Sequence, residues 1–155
     1  MARYQWSALN RQQVGAWAEY FVKMELTMHG FQVYTTEVDD RGIDFVARYE
    51  QGPFHTVQVK SLRGGGYVFL PKHKTPLGEE YLLALALLEE GEAPRLYLIP
   101  GTRWREPDQL FVDREYEGLE SDPEWGLNVS ARNLEALAEF ALERAVARLK
   151  AEACA

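Results

Sequence analysis

The chain has 155 residues, room for one domain with a real core and too few for two comfortable ones. At 46% hydrophobic and 26% charged, without repeats or low-complexity tracts, its composition excludes a disordered or fibrous protein. The net charge of −7 argues against indiscriminate binding of polyanions, but the charge is unevenly placed. Residues 1–75 hold nine Lys/Arg and seven Asp/Glu, whereas residues 76–155 hold eight and seventeen. The amino-terminal half therefore permits a nucleic-acid face. The one cysteine, Cys154, excludes a disulfide framework and a cysteine-based zinc site, and suits a reducing cytoplasm. MARYQWSALNRQQ lacks the pattern of a secretory signal. The longest apolar run, YLLALALL, is shorter than the ~20 residues that span a bilayer. A soluble, cytoplasmic protein with no membrane partner is expected.

The first predicted element is a helix over residues 10–29. Asn10 stands as its cap with Gln13 three positions on, and Gly30 follows as a stop. Val14, Trp17, Phe21, Met24 and Met28 recur at helical spacing and are expected to form its apolar stripe. The period then changes. FQVYTT (31–36), IDFVARY (43–49) and FHTVQVKS (54–61) are short β-rich segments between turn residues. EQGP at 50–53 is a tight connection, so the second and third segments should pair as an antiparallel hairpin.

GGG at 64–66 reads as a loop and YVFLP (67–71) as a fourth strand. YLLALALL (81–88) fits a buried strand or a helix. Its length and the following EEGEAP and RLYLIP favour a strand hairpin that extends the sheet. Residues 101–126 are rich in turn formers without a clear period and are expected to be mostly irregular. Leu134, Leu137, Ala138, Ala141, Ala145 and Leu149 trace one face of a C-terminal helix capped by Ser130. The fold class is α+β, a central mixed sheet with flanking helices, in one domain over 1–155.

The chemistry-bearing residues sit in the hairpin. Strand alternation puts Gln58 and Lys60 on one side and Val57 and Val59 on the other. With the loop centred near residues 51 and 52, opposed residues have numbers summing to about 103. A sum of 102 or 104 places Asp44 on the face of Gln58 and Lys60. A sum of 103 turns it away. If the three converge, the Asp44 carboxylate, the Gln58 amide oxygen and the Val59 carbonyl are hard oxygen ligands of the kind Mg²⁺ or Mn²⁺ accepts. Lys60 would then be a point charge beside a phosphate.

GID (42–44), a short loop and VQVK (57–60), preceded by a helix containing GAWAEYF (15–21), resemble the PD-(D/E)XK nuclease superfamily. The acidic helix, the hairpin spacing and the final lysine are similar to its Holliday-junction-resolvase branch. The resemblance covers residues 10–72, with 73–155 as an extension. It implies a restriction-endonuclease-like core of one helix and three strands and a metal-dependent hydrolysis of DNA phosphodiesters, with RNA as a second substrate class. It implies that Asp44 is a metal ligand, Lys60 the catalytic lysine, Glu19 the helix carboxylate, and Gln58 a replacement for the usual acid, a variant other members of the superfamily also resemble. A homodimer would suit cutting two strands.

The exchange at Gln58 should loosen a bound cation. One unit charge pair at 4 Å is worth roughly 4 kcal/mol gross at an effective dielectric of 20. The amide oxygen still accepts, so coordination itself survives.

Each residue also has a plain structural role open to it. Glu19 precedes Lys23 by four residues, a favourable helix-surface pair. Asp44 could begin a strand, and Gln58 and Lys60 could be its solvated side. Asp39 and Asp40 read as a loop, His55 as a strand surface residue, and Trp104 and Trp125 as core. Arg41, Arg63, Lys72 and Lys74 flank the motif as candidate phosphate contacts. Two further readings remain: a catalytically weak or inactive relative of the same fold that binds nucleic acid or a protein, and a subunit whose acidic half docks a basic partner.

Overall fold

A computed structural model describes residues 2–38 and 41–155; Asp39 and Asp40 lie outside the described residues. Asn10 starts helix α1 (Arg11–Met28) with a reciprocal cap. Its side chain accepts from the Gln13 backbone N–H at 2.8 Å, and the Gln13 side chain accepts from the Asn10 N–H at 2.9 Å. Gly30 follows with φ of +90°, the left-handed stop expected there.

Among the described residues, eight strands form two sheets. Strands β1 (Gln32–Thr35), β2 (Phe45–Arg48), β3 (His55–Arg63), β5 (Tyr81–Leu88) and β6 (Arg95–Pro100) make a five-stranded sheet in the order β1-β2-β3-β5-β6. β3 and β5 run parallel and the other neighbours antiparallel. Strands β4 (Gly66–Pro71), β7 (Phe111–Arg114) and β8 (Glu124–Val129) make a second sheet in the order β4-β8-β7. The helices are completed by α2 (Leu134–Leu137) and α3 (Leu142–Ala153). No helix among the described residues is long and apolar enough to cross a membrane.

β5 organises this arrangement, because all eight of its side chains are buried. Leu82, Ala84, Ala86 and Leu88 face a layer built by α1 and α3, with Val14, Ala18, Val22, Leu26, Ala145 and Val146 packed upon them. Leu83, Leu85 and Leu87 face the small sheet, among Trp104, Phe111, Leu127 and Phe140. A strand covered on both sides reads as an unbroken apolar run, which is why period alone left YLLALALL ambiguous.

Several expectations need correction. The stripe of α1 is Val14, Ala18, Val22 and Leu26. Trp17 and Phe21 only flank it, stacked on each other at 4.8 Å, and Met24 and Met28 are 57% and 83% exposed. The small Ala18 lets the helix lie close to the sheet, which the bulkier residues would prevent.

Residues 101–126 are not mostly irregular. They hold a 3-10 turn (Gly101–Arg105), β7 and the start of β8, and β4 joins these in the second sheet instead of extending the first. Gly126 breaks any strand pattern in β8 because Tyr67 lies over it. A Cβ there would stand 1.9 Å from the Tyr67 hydroxyl. The buried Trp104 donates from Nε1 to the Gly126 carbonyl at 2.7 Å.

The C-terminal helix is broken at Ala141, whose ψ of 145° is extended and which bridges to Tyr97 on β6. Leu137 and Phe140 belong to the small-sheet side of the core, whereas Leu142, Ala145 and Val146 belong to the α1 side. One straight helix cannot reach both faces across an edge strand. Ser130 makes no side-chain cap; a 3-10 turn (Ala131–Asn133) precedes α2 instead.

His55 is buried, not a surface residue of β3. It helps to line a hollow of about 380 Å³ with Arg105, Arg148 and Glu152. Burial holds its pKa below the usual 6.5 against the opposing pull of Glu80 and Glu152. The unfolded chain therefore binds a proton at this residue before the folded chain does. The stabilisation is complete above about pH 6.5 and is lost as pH falls toward the folded value.

Two outcomes are expected. Leu85→Ala, at the centre of the doubly covered strand, should lower the unfolding free energy by about 2–5 kcal/mol in urea titration. Unfolding midpoints of the native chain should drop between pH 7 and pH 5, and His55→Gln should flatten the part of that slope due to one proton.

Candidate active site

The register of the hairpin decides where Asp44 goes. Phe45 pairs with Val57, Val46 with Thr56 and Ala47 with His55, a constant sum of 102. Carried one residue past Phe45, that register directs Asp44 to the face that Gln58 shares with Lys60. The backbone N–H of Asp44 donates to the Val57 carbonyl at 2.8 Å, one residue off the sum of 102, so the regular ladder ends at Phe45. At that point the aspartate side chain takes over from the backbone of β2. Its Oδ2 accepts from the Val59 N–H at 2.7 Å. In a strand the N–H and C=O of one residue point to the same side, so the Val59 carbonyl is also directed toward β2, past its first paired residue.

The second half of the site comes from β5. Parallel pairing puts Gln58 beside Leu83, Lys60 beside Leu85, and Thr56 beside Tyr81. The Tyr81 hydroxyl, on the same face, donates to Gln58 Oε1 at 2.6 Å. Burial and then the nearby Asp44 charge push the Tyr81 pKa up, so it remains a neutral donor. Gly42 closes over the amide. Its φ is +69°, and a Cβ there would stand 3.1 Å from the Lys74 carbonyl and 3.5 Å from Gln58 Nε2. The glycine before Ile-Asp is thus required by both conformation and space. Thr36 adds a bond from Oγ1 to the Asp44 carbonyl at 3.1 Å.

Lys60 is half-buried and, among the described residues, joins no ion pair. Two positions on, Leu62 packs under the small sheet. The site therefore lies at the margin where that sheet stops. It covers β5 and β6, and the β1–β3 half of the face, with Val46, Thr56, Gln58 and Lys60, is only partly shielded.

Glu19 enters from the other direction. α1 packs on the side of Phe45 and Val57, opposite to Asp44, Gln58 and Lys60. The Glu19 carboxylate is paired with Lys23 at 3.0 Å, and the Lys23 ammonium lies 5.6 Å from the ring centroid of Phe45, the residue after Asp44. No group of three or more His, Cys, Asp or Glu side chains able to hold a metal ion occurs among the described residues. The oxygen donors that do stand together are the Asp44 carboxylate and Gln58 Oε1, with the Val59 carbonyl directed to the same strand edge. All are hard and all fit a divalent cation of the Mg²⁺ or Mn²⁺ type, with one formal charge among them.

The four flanking cations are placed differently. Lys74 adjoins the site through its own carbonyl against Gly42 and is exposed. Lys72, in the same 3-10 turn (Lys72–Lys74), is held by Asp113 and Glu115 with its ammonium 4.1 Å from the Trp125 ring centroid. Arg63 is exposed at the end of β3 and donates to the Leu9 carbonyl at 2.9 Å. Arg41 is exposed beside Gly42.

Tyr81 was not foreseen. Its signal was a single polar-tipped residue opening an apolar strand, meaningful only once β5 is known to lie parallel to β3.

No family model matches the sequence, and no curated protein matches it. Among solved structures the fold is similar to that of Archaeoglobus fulgidus Hjc, a Holliday junction resolvase from an archaeal hyperthermophile. The TM-score is 0.50 at 16% sequence identity, over 83% of this chain and 89% of that one. At that identity the likeness is one of fold: an α+β chain with a mixed sheet and flanking helices, of the resolvase and restriction-endonuclease-like kind.

Proposed function

We propose that the protein is a metal-dependent nuclease that hydrolyses DNA phosphodiesters at the face shared by Asp44, Gln58 and Lys60. The observation that carries this reading is the hairpin register, which turns Asp44 toward the face of Gln58 while the Val59 N–H pins the carboxylate. The likeness of fold to a Holliday junction resolvase supports the same reading.

Asp44, Gln58 and the Val59 carbonyl would hold a Mg²⁺ or Mn²⁺ ion. Glu19, on the α1 side of the sheet, would have to part from Lys23 and reach past Phe45 to complete the set. A divalent ion there supplies an activated water and charge stabilisation at the phosphate. Lys60 brings a fixed positive charge to the phosphate oxygens and orients the attacking water. Tyr81 fixes the Gln58 amide by donating to Oε1, whose second lone pair would be left for the ion. Arg41, Arg63 and Lys74 are placed to meet phosphates along the backbone, and Lys72 would have to exchange its carboxylate partners to do so. DNA is the substrate proposed, with RNA as the second choice. The chain is taken as one domain acting in the cytoplasm, and a dimer would let two sites cut two strands.

One observation favours a second reading, a nuclease-fold module that binds nucleic acid or a protein without cutting. Gln58 is satisfied by Tyr81, Glu19 by Lys23 and Asp44 by the Val59 N–H, so three of the four site residues have partners without any metal ion. That module would bind DNA in a salt-sensitive way, without metal, and unchanged by Lys60→Ala.

With Mn²⁺ present, Lys60→Ala should lower the cleavage rate by roughly 10²–10³-fold, the scale of losing one charge-stabilising group. Incubation with varied DNA and RNA in both Mg²⁺ and Mn²⁺, joined to calorimetry, decides between the readings. No cleavage together with no Mn²⁺ heat would sink the nuclease. Gln58→Glu restores the second charge while still accepting from Tyr81, and should tighten Mn²⁺ binding by roughly tenfold in the same calorimetry.

A further inference from the structure

The half of the large sheet left open by the small sheet carries two exposed aromatic rings beside the candidate site. Tyr34 of β1 and Phe54, just ahead of β3, are 48% and 51% exposed. Their ring centroids are 5.9 Å apart and meet edge to face. Tyr34 pairs with Val46, and Val46 with Thr56, so Tyr34 shares the face of Asp44, Gln58 and Lys60. Two residues along and one strand over put its Cα about 8 Å from that of Asp44.

Arg48 adds a cation to this face. Its guanidinium carbon lies 4.5 Å from the Phe54 ring centroid, and its Nε donates to the Gly52 carbonyl at 2.7 Å. That bond fixes the group in place. Among the described residues Arg48 joins no ion pair, so its charge is available.

We propose that Tyr34, Phe54 and Arg48 form a stacking platform for unpaired nucleobases, and that the site acts on DNA with unpaired bases next to the cleaved phosphate. The proposal rests on the nuclease reading above and names its substrate class. A base inside a continuous duplex already has both faces stacked, whereas an unpaired base offers a free π-face to an aromatic side chain. A guanidinium stacked on an aromatic ring presents both a flat surface for a base and a charge for a phosphate. At ~3.4 Å of rise per stacked base, the gap between Tyr34 and Asp44 spans two or three nucleotides. The alternative occupants are a second copy of the chain or another protein. The fixed cation and the continuity with the carboxylate and lysine of the site favour nucleic acid.

Fluorescence anisotropy in EDTA, where no metal-dependent cleavage occurs, tests this with two labelled probes: an oligothymidylate and a blunt duplex of the same length. Tyr34→Ala and Phe54→Ala should each weaken oligothymidylate binding by about tenfold, the scale of one lost base stack. Duplex binding should be nearly unchanged, and Tyr34→Trp should keep the native affinity. Both rings are half in solvent, so thermal melts should show the variants folded. Equal losses on both probes, or no loss on either, would overturn the platform. So would a change of sedimentation mass without a change in DNA binding, which would assign the rings to a second copy. Cleavage is read separately, with Mn²⁺, on a gapped duplex and on an intact one. An intact duplex cut as fast as the gapped one overturns the platform and leaves the nuclease standing. Selective binding with no cleavage of either DNA overturns the nuclease and leaves the platform.

Discussion

Strand β5 has no solvent side, so it needs a layer on each face, and the rest of the molecule is arranged to provide them. α1 and α3 cover one face. The small β4-β8-β7 sheet, with Trp104 and Phe140, covers the other. Each leucine or alanine of the strand is buried by one layer or the other, and fully burying such a side chain is worth about 1.5–3 kcal/mol for the larger ones. The break at Ala141 follows from the same demand, since the chain has to pass round the β6 edge to serve both layers.

The position of the site follows from where the second layer ends. The small sheet is three strands wide and covers β5, β6 and Leu62 of β3. On this face of β3, Gln58 and Lys60 are the last residues before Leu62 enters its cover, at a boundary between packed core and partly open sheet. A polar constellation there is held by a rigid scaffold while one side stays reachable. Tyr81 joins the two zones, its ring in the core beneath the small sheet and its hydroxyl on Gln58. Three strands thus contribute to one small cluster: β2 through Asp44 just ahead of it, β3 through Gln58 and Lys60, and β5 through Tyr81.

Asp44 stands at a place where the ladder changes hands. Backbone pairing between β2 and β3 ends one bond beyond Phe45, and a carboxylate then accepts the next N–H of β3. The bond to Val59 locks the side chain against the edge of the strand, at the level where the Val59 carbonyl emerges. Gly42, two residues earlier, keeps the incoming chain tight enough to rest on Gln58. This is a charged group positioned by the backbone itself, which makes its geometry depend on register and hardly at all on surface side chains.

Local signals in the sequence were enough for α1 and its cap, for the strands of the hairpin, for the α+β class, and for the same-face relation of Gln58 and Lys60. Those features rest on periods of 3.6 and 2 and on caps and turns, all written within a few residues. Register was narrowed to three sums but not chosen, because EQGP permits all of them. Burying Phe45 and Val57 together under α1 excludes 103, and the pairing in the fold is 102. Tyr81, the open half-sheet bearing Tyr34 and Phe54, the second sheet and the break at Ala141 were decided only in the tertiary structure. Each depends on which strand lies beside which, a relation between residues far apart in the chain. No periodicity within one segment encodes it.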